Sequence, residues 1–238
     1  AIELGLIKKI ADKSDILSAD IIVLAMPIIA VQEWLLSPPN IAKQTTIIDL
    51  CSTKQGVIDA ACSMRQNFVA AHPMCGTEYS GPNAAVENLY SDKTVVLCNA
   101  DDSGVVHLEK ATKLFEDLNM KIVQMSAKLH DKHAAFISHL PHLLSFALAN
   151  AVLSQESPEN ILTMAAGGFK DMSRLAKSAP SLWEQIFFAN QKEVLQTIEI
   201  FENELSTLKN AIANKDSSAI LHEMQEANTI HKLFGQGK

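Results

Sequence analysis

A change of hydrophobic period near residue 125 limits the folds open to this chain. Before it, short runs rich in Val and Ile alternate with helical patterns. After it, no strand pattern recurs. The segments "DIIVLAM" (20–26), "TTIIDL" (45–50), "NFVAAH" (67–72), "KTVVLCN" (93–99) and "KIVQM" (121–125) have the length and β-branched content of strands. Residues 28–36, 54–64 and 104–118 carry apolar positions at helical spacing. Strands that are apolar on nearly every residue have both faces covered. Interleaved with helices, they form a sheet that is parallel at least through its first strands.

The second half opens at Ser126 with one long helical pattern, 126–153, interrupted by Pro141. "SPEN" (157–160) places Ser157 as a helix cap and Pro158 at the first helical position. "SLWE" (181–184) has the form of a capping box, in which the Ser181 hydroxyl meets the amide of Glu184. An amphipathic stripe continues to Leu208, and 216–233 supplies a last helix. The expected architecture is α/β: a doubly wound, mostly parallel sheet domain over 1–125, then an all-α domain over 126–238.

Bulk properties exclude several partner classes. A formal charge of −7, with no Lys/Arg block, argues against nucleic acid. Cys51, Cys62, Cys75 and Cys98 show no CxxC spacing and read as reduced thiols of a cytoplasmic protein. No apolar run in the sequence reaches the ~18 residues of a membrane span, and no signal-peptide pattern opens the chain. One part expected of a doubly wound nucleotide fold is missing, because no GxGxxG turn occurs. "AIELGLIKKI" reads as the tail of a first unit already past its phosphate loop. Either the fold never held a dinucleotide, or its front end lies outside this chain.

"AAHPMCGTEYSG" (70–81) sets His72 at the end of a predicted strand, and "DLCSTK" (49–54) ends the strand before it. Open parallel sheets bind ligands beyond the carboxyl ends of their strands, so Ser52 and His72 are expected on one rim. There a serine hydroxyl can fix the imidazole's tautomer and leave its other nitrogen as a base. The alternative is a strand-end histidine bonded only to backbone. A second cluster, "HDKHAAFISHLPHLL" (130–144), holds four histidines and Asp131. On a regular helix Asp131 and His142 fall about 20° apart around the axis. Pro141 removes the hydrogen bond to Ile137 and can swing His139 or His142 off the regular stripe. The i,i+3 histidine pairs lack a HExxH or a third ligand, so no metal is expected. In "GGFKDMSRLAKSAPSLW" (167–183), Arg174 is one of only two arginines. Its fork suits a substrate carboxylate, against the competing role of a structural salt bridge. Asp171 is placed as the N-cap of a short helix carrying Arg174.

In this order and spacing, "AHPMCGTEYSG", "DKHAAFISHLPH" and "GGFKDMSRLAKSAPSLW" make the chain resemble the prephenate/arogenate dehydrogenase family of tyrosine biosynthesis, over essentially its whole length. The resemblance implies a Rossmann-like domain over 1–125, here without its first strand and glycine-rich loop, and a helical substrate and dimerisation domain over 126–238. It implies a cytoplasmic homodimer using NAD or NADP, with no nucleic-acid or membrane partner. It makes His72 the catalytic residue on the substrate's ring hydroxyl and Ser52 the group that orients it beside the nicotinamide. His142 would contact the substrate side chain and Arg174 a carboxylate, with Glu78 and Asp131 as acidic partners gating that arginine. Lys170, Asp171, Trp183 and Thr77 match the substrate pocket; Met26, Pro27, Ser52 and Thr53 match cofactor positions. Cys75 stands where the family commonly has alanine. The implied reaction is oxidative decarboxylation of prephenate to 4-hydroxyphenylpyruvate. Arogenate is the alternative substrate, and a non-catalytic dimeric relic without a dinucleotide cradle is the alternative function.

Overall fold

The computed structural model describes residues 1–77, 79 and 81–234. The first elements are α1 (Lys13–Leu17), β1 (Ile21–Leu24), α2 (Ile28–Leu36), β2 (Thr46–Asp49), α3 (Gln55–Ala60), β3 (Phe68–Pro73), β4 (Thr94–Cys98), α4 (Val105–Asp117) and β5 (Lys121–Met125). Helices α5 (Ala127–Ala134) and α6 (Leu140–Leu153) follow, joined by a π-turn over Ala135–His139. Then come α7 (Pro158–Thr163), α8 (Gly167–Ser173), a 3-10 turn (Arg174–Lys177), α9 (Pro180–Ala189), α10 (Gln191–Ala213), α11 (Ser217–Asn228) and α12 (Ile230–Phe234). The chain forms two compact units, Ala1–Val194 and Leu195–Lys238.

The five strands lie side by side in chain order, with β1, β2 and β3 parallel, β4 antiparallel to β3, and β5 parallel to β4. Connection chemistry explains the mixture. A parallel neighbour needs a crossover element, supplied by α2, α3 and α4. Between β3 and β4 the described residues hold only a 3-10 turn at Pro82–Ala84, and the chain returns antiparallel. The side-chain period of two splits the core between the faces. Ile47, Phe68, Ala70 and Val96 pack with α2, α3 and α9 on one side. Ile48, Val69, Ala71, Val95 and Leu97 pack against Ala111 and Phe115 of α4 on the other.

The strands fall where the sequence places them. Two helix starts do not follow the expected chemistry. Pro180 takes the first position of α9 after Ala179, so Ser181 lies inside the helix and makes no cap bond. The missing proline N–H costs nothing there, which outweighs a serine cap one position later. Ser157 does precede Pro158 at the start of α7, but without a side-chain cap bond. Ser126 caps α5 as expected, accepting from the Leu129 amide at 3.2 Å.

Residues 127–153 run as one helix of 27 residues with a window of mean hydropathy 1.4, so by length and composition it could cross a membrane. Within it Ser138, His139, His142, Ser145 and Asn150 break the apolar sequence, so the unbroken apolar runs stay short, as expected. The same helix buries His130, Asp131 and His139 among protein partners. Those partners make it a packing helix of the Ala1–Val194 unit.

Candidate active site

The carboxyl ends of β1, β2 and β3 form one rim because the three strands are parallel. Met26 and Pro27 follow β1, Ser52 and Thr53 follow β2, and His72 lies within the last turn of β3. The period of two puts His72 on the face of Phe68 and Ala70, which is also the face covered by Ala127 of α5.

Helix α5 meets His72 with a second imidazole. His72 Nδ1 lies 2.8 Å from His130 Nε2, with the rings edge to face at 5.0 Å. His130 Nδ1 lies 2.8 Å from Asp131 Oδ1. The proton positions follow from the inventory of donors. A carboxylate only accepts, so His130 Nδ1 donates to it and His130 Nε2 is left as an acceptor. His72 Nδ1 therefore donates to His130, and the lone pair of His72 lies on Nε2. Burial pushes His72 well below the ordinary 6.5, helped by the Lys54 ammonium and by the His130 and His139 rings. The ring is a neutral base at pH 7.

Asp131 is anchored from the sheet side. Its Oδ1 accepts from the Lys54 amide at 2.8 Å and its Oδ2 from the Gln55 amide at 2.9 Å, the first N–H groups of α3. The Lys54 ammonium is fully buried between Asp49 Oδ1 (2.5 Å) and the Ala71 carbonyl (2.6 Å). Asp49 Oδ1 also accepts the Cys51 amide at 2.9 Å. Burial, then the Asp49 carboxylate, pushes the Cys51 thiol up to about 12, so it is no nucleophile.

The π-turn sets the rest of the site. It absorbs one extra residue, so positions beyond it keep the phase of a chain one residue shorter. His130 and His142, twelve apart, would lie about 120° from each other on a plain α-helix; with the turn they lie about 20° apart. Asp131 and His142 move from about 20° to about 80° apart, which corrects the expectation that they share a face. His142 Nδ1 donates to the Ser138 carbonyl at 2.9 Å, and its ring stacks on Trp183 at 3.5 Å and 21°. Burial lowers its pKa, with the Arg174 guanidinium adding and the Ser138 carbonyl opposing. The turn bearing Arg174 packs on α6. His139 is buried beneath the pair, its Nδ1 accepting from Asn190 Nδ2 at 3.2 Å; the same amide donates to the Asp131 carbonyl at 2.8 Å. Burial pushes His139 down to about 4, against the pull of Asp131.

Several expected roles change. Ser52 is half-buried on the rim, but the hydrogen-bond partner of His72 is His130, not Ser52. Asp131 faces the amides of α3 rather than gating Arg174, because two preformed donors and an imidazole N–H already hold its carboxylate. Asp171 lies inside α8, whose N-cap is Ala166, and does not cap it. Lys170 and Asp171 are exposed on that helix, and Thr77 is exposed with its hydroxyl turned to the backbone of Tyr79. Glu78 lies outside the described residues. A surface cavity of about 730 Å³ lined by Tyr79, Asn83, Val86 and Lys177 connects the loop after β3 with the turn bearing Arg174. Roles for Lys54 and Asn190 were not anticipated, and His130 and His139 were noted only as members of the histidine cluster. The adjacency of His130 to Asp131 was the one available signal.

A neutral imidazole lies on the carboxyl rim of parallel strands, and helices of the same unit carry a His–Trp stack with a guanidinium acting on its imidazole; these are the groups that a nicotinamide-dependent dehydrogenase with a helical substrate half requires. Family models point the same way. The prephenate dehydrogenase nucleotide-binding domain matches residues 1–124, and the prephenate dehydrogenase dimerization domain matches 126–226. The chain belongs to the prephenate dehydrogenase family. It is 31% identical to cyclohexadienyl dehydrogenase of Zymomonas mobilis, over 88% of this chain and 73% of that protein. It is 29% identical to prephenate dehydrogenase of Bacillus subtilis over 95% of this chain, and spans 63% of that protein's length. Prephenate dehydrogenase of Aquifex aeolicus, solved with hydroxyphenyl propionate and NAD+, superposes with a TM-score of 0.89 at 30% identity, covering 98% of this chain and 84% of that one.

Proposed function

We propose that the protein oxidatively decarboxylates prephenate to 4-hydroxyphenylpyruvate with NAD, as a cytoplasmic homodimer. The carrying observation is the chain Asp131–His130–His72, which ends in a basic nitrogen on the ligand rim. The rim fits the nicotinamide end of the cofactor. Met26 and Pro27 are exposed at the end of β1, and Ser52 and Thr53 lie on the neighbouring strand end. No GxGxxG occurs in the sequence, so no glycine loop for the pyrophosphate is assigned among these residues. NAD held at this rim would supply the acceptor for the hydride of the hydroxyl-bearing ring carbon.

His72 takes the hydroxyl proton at Nε2, in the neutral state its buried surroundings enforce. Arg174 holds a carboxylate of the dianion, and His142, fixed by Ser138 and Trp183, positions the side chain. The reacting atoms thus start near productive geometry. Lys170, Asp171 and Thr77 complete the substrate surroundings in this reading, which divides the chain into a cofactor half, 1–125, and a substrate and dimer half, 126–238. Initial rates of NADH formation from prephenate test it, and no reduction of NAD or NADP by either cyclohexadienyl substrate refutes it.

One observation favours arogenate as a second reading. With Nδ1 donating to Ser138, neutral His142 presents an accepting Nε2. An acceptor suits the ammonium of arogenate, whereas the keto oxygen of prephenate needs a donor. Prephenate turnover gaining on arogenate turnover as pH falls through the His142 pKa would tie the choice to this ring.

A further inference from the structure

We propose that the substrate's hydroxyl proton resides on His130, anchored by Asp131, between its removal and its return, with His72 as the conduit. The inference rests on the decarboxylating reading above. His72 Nδ1 and His130 Nε2 are 2.8 Å apart, and His130 Nδ1 and Asp131 Oδ1 are likewise 2.8 Å apart. As the substrate O–H breaks and an N–H bond forms at His72 Nε2, the Nδ1 proton of His72 passes to His130 Nε2. His72 ends neutral in its other tautomer. The positive charge ends on His130, in contact with a carboxylate.

The surroundings decide between the two rings. A proton held on His72 would be opposed by burial and by the Lys54 ammonium. The groups that face the pair are Lys54 and Asp49 from the β2–α3 segment, Asp131 from α5 and His139 from the π-turn. Asp131 does not itself take the proton. Its two oxygens already accept from the backbone amides of Lys54 and Gln55. His130 and Asp131 are therefore positioning residues that act through His72.

The charge balance of the reaction explains why a closed acceptor suffices. Prephenate is a dianion and its product a monoanion. The hydride neutralises the cationic nicotinamide, and CO2 leaves uncharged, so no net proton is released. The ring oxygen that loses its proton becomes a phenolate when the electron pair of the breaking C–CO2 bond aromatises the ring. It then takes the proton back along the same two nitrogens. His130 and Asp131 are both buried, as a store without solvent exchange requires.

The test is a proton inventory of the hydride-transfer step in H2O/D2O mixtures, on the native protein and on His130→Gln. The glutamine carbonyl still accepts from His72 Nδ1 but cannot take its proton. We expect a curved, two-proton dependence for the native protein. For the variant we expect a linear one, with kcat lowered roughly tenfold to a hundredfold and KM nearly unchanged. Native kcat in His130→Gln, with both inventories linear, would leave His130 a purely orienting role and overturn the proposal. A readout free of turnover is imidazole 15N NMR of the native protein, expected to show Nδ1–H tautomers at both His72 and His130. An Nε2–H tautomer at His130 would overturn it too. A native protein inert toward both prephenate and arogenate would instead remove the functional reading on which the relay stands.

Discussion

His72 works only as a neutral base, and its neighbours enforce that state. Replacing it by asparagine keeps a polar group of similar reach without a base. In the proposed reaction His72→Asn should lower kcat by roughly 10²–10⁴-fold with a far smaller change in KM, measured by steady-state kinetics. The acid limb of kcat should lie below pH 6.5, because the base must be unprotonated and its pKa is depressed by burial, Lys54, His130 and His139. His139 gives the same logic a stability form. Its folded pKa is lowered from 6.5 to about 4. Between those values the unfolded chain binds a proton that the folded chain refuses, so stability falls as pH falls. The loss is about 3 kcal/mol across that window. Urea melts at pH 7 and near pH 4.5 should show His139→Gln losing less stability than the native protein; equal losses would place the acid sensitivity elsewhere. His72, His142 and Arg174 were legible because each sits in a short motif. The relay was not, because His130 is 58 residues from His72 and only folding brings α5 to β3.

Element by element, the strands were readable from β-branched runs, since a sheet covered on both faces leaves little else that 4–6 apolar residues can do. Pro141 was readable as an irregularity, but the π-turn that precedes it was not. Nothing local distinguishes an absorbed residue from a plain kink, and tertiary contacts of His139 and His142 select the turn. The phase argument has a direct consequence. Ile137 lies in the turn and is 66% exposed, so deleting it should let the turn relax to a regular α-helix while His130 and His142 stay in phase. Such a variant should keep kcat and KM within about tenfold, because both flanks retain the contacts that position substrate. Deleting Ile137 and Ser138 together should rotate His142 a further ~100° off Trp183 and abolish activity. Comparable losses in the two variants would show that the turn does not set the phase.

At the scale of the whole molecule, the change of period at residue 125 announced a sheet half and a helical half, yet packing follows another line. Helices α5 to α9 share a unit with the sheet, while Leu195–Lys238 forms a second unit. Period reports which elements form; the faces they bury depend on partners far along the chain. The second unit carries apolar side chains that its own fold leaves in solvent. Leu205 and Ile212 of α10 and Leu221 and Met224 of α11 are all exposed, at 53–67%. Single exposed apolar residues are ordinary, but four on two helices within a match to a dimerization domain call for a covering surface. A second copy of the chain is that surface in the homodimer proposed here. If so, placing carboxylates there buries unpaired charge in the dimer at a cost of several kcal/mol and none in the monomer. Ile212→Glu with Leu221→Glu should therefore convert a micromolar dimer to monomer by sedimentation equilibrium, while circular dichroism stays native. The His72–His130 contact lies wholly within one chain, so its 15N signature should survive that dissociation. A double variant that remains dimeric would move the interface off this face.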